Sequence, residues 1–308
     1  MNDKKHVAPG IAYKMFDYDC EKLSFFPSIG LKLTGACRFR CPFCCEPNRS
    51  QNVAPIDKFI KIVDTIHQFG TRRLCLTGGD PLLYPSIGKL LEHSRSLRIY
   101  NLLLTTDGEL IIKNYQKVLP FLNAVRFSVH AMHSQHDEIV GYPGSFIFTE
   151  EAIDILNKEE IPSFVTTVVT PLNIESLSDI AEWCLYRNVK KYFLFGLMRS
   201  GLGESFIKEH GEVSAVEISE VVAELKRRYS REQMEIIYYP YRENAECILI
   251  YGDGRVVIDP YPDSESFQLE IGNILSDTPA EILDRFFQDL KNYEGYCNHL
   301  NMYNKALT

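Results

Sequence analysis

From Ile29 to Met198 the chain alternates between short apolar runs and longer segments whose apolar residues recur at helical spacing. The runs are IGLKLT (29–34), RRLCLT (72–77), YNLLLTT (100–106), AVRFSVH (124–130), PSFVTTVV (162–169) and KYFLFGLM (191–198). Amphipathic stretches at 56–70, 84–97, 109–121, 146–159 and 175–188 separate them. Strands that are apolar on both faces belong to a parallel sheet covered by helices, since a half-exposed sheet shows a polar residue at every second position. Right-handed crossovers wrap about six such βα units into an open or closed barrel.

Past residue 198 the pattern changes. A glycine-rich loop, RSGLGES (199–205), precedes a helix at 214–229 and short strands at 235–241, 247–252 and 255–261. The last two turn through Gly252-Asp253-Gly254, a strong hairpin signal. A final helix is expected near 277–292, with Thr278 as its cap and Pro279 in its first turn. The expected division is therefore an N-terminal arm (1–27), a barrel (28–231) and a small α+β annex (232–308).

The loop after the first run carries Cys37, Cys41 and Cys44 in the spacing C-x3-C-x2-C, with Cys45 directly behind. The chain has 9 cysteines, an odd number and unevenly spread, which suits a metal site in a reducing cytoplasm better than a disulfide framework. A net charge of -8 argues against a generic nucleic-acid binder. No apolar run approaches the ~20 residues that span a bilayer, and MNDKKHVAPG lacks the apolar stretch of a secretory signal. A cytoplasmic location is expected.

Three thiolates at this spacing hold zinc or an iron–sulfur cluster. Structural zinc usually takes four ligands from two paired knuckles, and no second knuckle follows. A cubane on three cysteines leaves one iron open to a substrate or cofactor. Cys45 reads as a bystander, because adjacent residues rarely ligate one cluster together. Outside enzyme chemistry, the same loop fits an iron–sulfur electron carrier or a zinc-binding structural module.

The C-x3-C-x2-C loop after the first strand of a βα barrel, with the aromatic Phe43 before its third cysteine, resembles the signature of the radical S-adenosylmethionine (radical SAM) enzymes. The second run ends in Leu76-Thr77-Gly78-Gly79-Asp80-Pro81, which is similar to the GGEP-type motif of that family, with Asp80 in place of the usual glutamate. The resemblance implies a partial (β/α)6 radical SAM barrel with a small α+β C-terminal annex. It implies a [4Fe–4S] cluster on Cys37, Cys41 and Cys44, and S-adenosylmethionine (SAM) on the open iron, cleaved to a 5′-deoxyadenosyl radical. Phe43, Gly78, Gly79, Asp80 and Pro81 would then contact the SAM. Arg38 departs from the asparagine found in many members.

The carboxyl ends of barrel strands face the active site. By analogy with the family, Thr105, Thr106 and Ser128 lie beside the cofactor, Ser128 at the SAM ribose or carboxylate. Asn173 falls near the ribose, Leu197 and Met198 flank adenine, and Arg199 pairs with the SAM carboxylate. His130, His133 and His136 are expected at the barrel mouth and on the following loop rather than as a metal site.

The segment CILIYGDGRVVIDPY…IGNIL resembles the SPASM/twitch extension of many relatives. No cysteine follows its hairpin, and only Cys247 and Cys297 remain in the annex, so a degenerate annex without a fully cysteine-ligated auxiliary cluster is expected. Cys247 is a candidate hydrogen donor, of the kind some radical SAM epimerases use, or else a small buried hydrophobe. The implied reaction is hydrogen abstraction from a carbon of a small polar (sugar-like) or peptide substrate. Epimerisation, dehydrogenation, rearrangement and peptide modification all fit, with a reductant such as flavodoxin or ferredoxin as electron partner.

Overall fold

Each apolar run becomes a strand. The computed structural model describes residues 25–46, 53–229, 234–239, 247–259 and 268–288, without the side chains of 104, 105 and 247. Strands β1 (Ser28–Lys32), β2 (Arg73–Thr77), β3 (Tyr100–Thr106), β4 (Ala124–Ser128), β5 (Ser163–Val168) and β6 (Lys191–Phe195) lie side by side, parallel and in chain order. Helices α1 (Ile56–Phe69), α2 (Ile87–Ser96), α3 (Gly108–Val118), α4 (His133–Val140), α5 (Ser145–Lys158) and α6 (Leu177–Tyr186) fill the crossovers. The expected α/β partial barrel is the architecture found.

Two features differ from the sequence reading. The run at 235–239, assigned above to the annex, is β7 (Glu235–Tyr239), a seventh parallel strand beside β6. It is fed by α7 (Gly203–His210), which begins inside the glycine-rich loop, and α8 (Ala215–Tyr229), so a further crossover follows β6. The region of His133 and His136 is a helix and not a loop. It has 8 residues, buries His136, Ile139 and Val140, and stops at Gly141 with φ 63.

At the other edge, β8 (Cys247–Tyr251) pairs in parallel with β1, Gly30 opposite Leu249. Then β9 (Arg255–Asp259) and β10 (Leu269–Asn273) add antiparallel. The annex strands thus continue the barrel sheet, a 10-stranded sheet among the described residues. Helix α9 (Pro279–Phe287) opens with a capping box between Thr278 and Glu281, as Thr278-Pro279 foretold. Its expected extension to 292 and Cys297 lie outside the described residues, as does most of the 1–27 arm.

Alternation along the strands divides the core. Ile29, Leu31, Leu74, Leu76, Val125, Phe127 and Val165 face the helices in one large cluster. Cys75, Leu102, Ala124, Phe164, Phe193, Ile237 and Tyr239 face inward and fill the barrel. A third cluster, around Phe43, sits under the cysteine loop. Among the described residues no helix is long and apolar enough to cross a membrane.

Candidate active site

The cysteine loop leaves the carboxyl end of β1 and lies directly on the turn that ends β2. The amide of Gly79 donates to the Thr34 carbonyl at 2.7 Å, and that of Asp80 to the Ala36 carbonyl at 2.7 Å. This approach needs glycine. A Cβ on Gly78 would stand 2.2 Å from the Thr34 oxygen, and one on Gly79 would stand 2.3 Å from the Ala36 oxygen. From the opposite side Gly201, at φ 60, presses on Cys44 and Cys45, and the Leu202 amide donates to the Cys44 carbonyl at 2.9 Å.

Beneath the loop is an apolar shelf. Phe43 is buried, with its ring edge-on to His130 (5.0 Å) and to Phe206 (5.5 Å). Ala131, Ile139 and Leu197 complete the shelf, and Cys41 packs against it. Cys37, Cys41 and Cys44 are half-buried, whereas Cys45 is exposed. Arg40 closes the loop by donating to the carbonyls of Cys37 (3.1 Å) and Phe39 (3.0 Å).

Arg38 turns away from the cysteines. Its Nε donates to Asp107 at 2.8 Å, and its Nη1 donates to Tyr142 at 2.9 Å and pairs with Glu109. Lys113, Tyr142 and Arg38 hold the Glu109 carboxyl down at about 2. Asp107 also caps α3, accepting from the Leu110 amide at 3.0 Å. The Asp80 carboxylate, expected near the cofactor, faces β3 instead. It accepts from the Leu82 amide, the Thr106 hydroxyl and the Asp107 amide, each at 2.9 Å. Burial first, and then the nearby charge of Asp107, push it up to about 7.

The remaining expected residues divide similarly. Pro81 is buried in the turn after β2 and Ser128 is half-buried at the carboxyl end of β4. Leu197 belongs to the Phe43 shelf, with Met198 half-buried beside it in sequence. Asn173 is a turn-former: its Nδ2 donates to the Val168 carbonyl at 2.9 Å and its Oδ1 accepts from the Thr170 amide at 2.8 Å. Arg199 is half-buried and paired with Glu212 at 2.5 Å. The structure therefore gathers the cysteine loop, Phe43, Gly78, Gly79 and Leu197, while the polar groups of Asp80, Thr106, Asn173 and Arg199 are engaged by protein.

The side chains of Thr105 and Cys247 lie outside the described part. The Cys247 backbone starts β8, two residues before Leu249, which pairs with Gly30. It thus lies at the amino end of a parallel strand, whereas the cysteine loop leaves a carboxyl end.

His130 and His136 are buried, neutral pins. The Nδ1 of His136 accepts the His130 amide at 3.1 Å, and its Nε2 lies 3.1 Å from the Ser145 hydroxyl. Burial, with His136 adding to it, lowers His130 to about 3, and burial lowers His136 to about 4. Among the described residues no group of three His, Cys, Asp or Glu is arranged to hold a single metal ion.

Sequence reasoning missed a polar cluster joining the loop to the annex. Lys32 pairs with Glu46 and lies over the Tyr251 ring at 4.9 Å. Gln268 bridges the Tyr251 hydroxyl (2.8 Å) and Asp259 (2.9 Å). The available signal was Lys32 itself, a charge inside an apolar strand.

Several proteins are similar to this chain. The AdoMet-dependent heme synthase of Methanosarcina barkeri is 26% identical over 200 residues, 63% of this chain and 56% of that protein. The sporulation killing factor maturation protein SkfB of Bacillus subtilis is 24% identical over 274 residues, 84% of this chain and 65% of that protein. The chain thus spans less than two thirds of either relative. Among solved structures, anSMEcpe with bound AdoMet superposes with a TM-score of 0.67 at 17% identity, covering 88% of this chain and 83% of that one. Streptococcus suis SuiB bound to S-adenosylmethionine gives 0.63 at 13% identity, covering 83% and 65%. At such identities the likeness is one of fold. The family model described as the Radical SAM superfamily matches residues 31–184, a span that includes both the cysteine loop and the Gly78-Gly79 turn. The chain belongs to the radical SAM superfamily, the enzymes that work with a [4Fe–4S] cluster and S-adenosylmethionine.

Proposed function

We propose that Cys37, Cys41 and Cys44 hold the [4Fe–4S] cluster, that the Gly78-Gly79 turn and the Phe43 shelf border the SAM, and that the enzyme takes hydrogen from a carbon of a peptide substrate. The observation that carries this reading is the bonding of the two motifs into one unit through Gly79 to Thr34 and Asp80 to Ala36. A cofactor bound by the cysteines is thereby next to backbone stripped of side chains. The donor set fits the group: three half-buried thiols on a loop that carries no carboxylate between 33 and 45. When bound, the cluster and SAM together supply a 5′-deoxyadenosyl radical that abstracts hydrogen.

The chain's own residues provide the setting. Arg40 and Arg38 fix the loop, the Phe43 shelf keeps water from beneath it, and the inward apolar cluster lines the barrel where a radical must be protected from solvent. The peptide class is carried over from similar proteins: SuiB is known bound to its precursor peptide SuiA, and anSMEcpe with a Kp18Cys peptide. A flavodoxin- or ferredoxin-like reductant supplies the electron. We place the barrel's end after β7, with the rest of the chain as a SPASM/twitch-like annex lacking a fully cysteine-ligated auxiliary cluster. Epimerisation is not part of the proposal, because the position of Cys247 on β8 does not favour it as the donor.

The test is anaerobic reconstitution followed by reduction with dithionite. The wild type should show a cubane EPR signal perturbed by SAM, and should release 5′-deoxyadenosine. Cys37→Ala, Cys41→Ala and Cys44→Ala should each lose both properties, and Cys45→Ala should keep them. A cluster that survives any of the first three changes, or a wild type that never cleaves SAM, would sink the assignment.

A further inference from the structure

Arg126 is the one charged residue of β4, and it is only 8% exposed. It shares its face of the strand with Ala124, a member of the inward cluster, so the side chain enters the barrel interior. There its guanidinium lies over the rings of Phe193 and Phe195, at 5.3 and 5.6 Å from their centroids. Its Nε is fully buried and has no hydrogen-bond partner among the described residues. The two lysines at inward positions are each paired with a carboxylate, Lys32 with Glu46 and Lys191 with Glu235 at 3.0 Å.

A second orphan lies beside it. Thr166 is 5% exposed, and its buried hydroxyl also has no partner among the described residues. The β4–β5 register sets Arg126 opposite Phe164 and Ser128 opposite Thr166. Thr166 is therefore one inward-facing step nearer the carboxyl end, between Arg126 and the mouth that the cysteine loop covers. Aromatic faces attract a guanidinium and fix its plane, but they leave its N–H groups unsatisfied. A buried cation needs an anion with lone pairs for those hydrogens.

We propose that Arg126 and Thr166 form a carboxylate-binding subsite on the barrel floor, which holds the substrate with its reacting carbon toward the cysteine loop. The inference rests on the proposed radical site at the mouth and adds the chemical class of what enters it. A carboxylate presents two coplanar oxygens to the guanidinium fork and retains a lone pair for the threonine hydroxyl. An acidic side chain, a chain terminus or a small organic acid supplies the same group.

Succinate and its neutral analogue succinamide serve as probes, titrated calorimetrically into the reconstituted full chain. Succinate should bind, with succinamide at least about tenfold weaker, and Arg126→Gln should weaken succinate about tenfold, the scale of a lost charge-assisted contact. Thr166→Val should weaken it less, and Arg126→Lys should fall between wild type and Arg126→Gln. If Arg126→Gln does not fold, the last two variants carry the comparison. Absent succinate binding, equal binding of succinamide, or indifference to these substitutions overturns the proposal. So does a parallel loss of SAM affinity, read from the EPR perturbation, since Arg126 would then be holding the carboxylate of SAM itself. A wild type that binds succinate but releases no 5′-deoxyadenosine separates failure of the radical reading from failure of the subsite.

Discussion

Arg38 grips Asp107 with its Nε 2.8 Å from Oδ2, and so ties the cysteine loop to the residue that caps α3. The partners are 69 residues apart in the chain, and the same guanidinium reaches Glu109 and Tyr142. Arg38→Ala takes the arginine from Asp107 and leaves Glu109 with Lys113 as its remaining cation. It should destabilise the fold by about 2 kcal/mol in urea melts, the range for losing hydrogen bonds to a charged group. It should also speed iron loss to a chelator. Arg38→Lys should recover only part of this, because an ammonium cannot serve both carboxylates with a planar fork.

Gly79→Ala tests the contact between the two motifs. A methyl group 2.3 Å from the Ala36 carbonyl oxygen forces the turn and the loop apart. The expected outcome is destabilisation of about 1–3 kcal/mol, the range for overpacking a tight contact, and a weaker SAM perturbation of the EPR signal. A variant with wild-type melting and SAM response would show that the loop yields freely.

Stability should depend on pH through the histidine pair. His136 and His130 stay neutral in the fold down to about 4 and about 3, while in the unfolded chain they take protons below the ordinary value of 6.5. The unfolded state binds more protons in that window, so stability is present above 6.5 and is lost as the pH falls. His136→Gln keeps a carbonyl oxygen in reach of the His130 amide and removes one titrating ring. It should reduce the slope between pH 4.5 and 6.5 by about one proton, roughly 1.4 kcal/mol per pH unit, in denaturation series across that range.

Asp80 should act in the opposite sense. Its carboxyl titrates at about 7 in the fold and at the ordinary value of 3.8 when unfolded, so between these values the native state holds the extra proton. Its contribution therefore declines as pH rises through the window and levels off above 7. Asp80→Asn should steepen the rise of stability between pH 4.5 and 6.5. At acid pH it should cost about 1 kcal/mol, because an amide nitrogen cannot accept from all of Leu82, Thr106 and Asp107.

The barrel was legible because parallel strands buried on both faces leave an unmistakable apolar record, and the cysteines and glycines because their chemistry leaves few alternatives at such spacing. The place of β7 in the barrel was not, although its strand was: two helices and a glycine-rich loop stand between it and β6, which hid its parallel pairing. Helix α4 has only 8 residues, too few to establish a period. The engagement of Asp80 by Thr106 and of Arg38 by Asp107 joins separate strand ends, and no local pattern encodes which carboxylate turns to which donor. Arg126 was visible as a charge within AVRFSVH, but only the fold shows that it is buried over Phe193 and Phe195 with no hydrogen-bond partner for its Nε among the described residues.

The pairing of β8 with β1 has a consequence for inheritance. Gly30, Leu31 and Lys32 are bonded on one side to β2 and on the other to Leu249, Ile250 and Tyr251, so the strand that launches the cysteine loop is interior only because the tail is present. A chain cut short before residue 247 would bare that strand as a raw edge, open to aggregation. The tail is accordingly no cassette to be traded between proteins. Recombination that replaced it would have to restore the register of the strand that launches the cysteine loop.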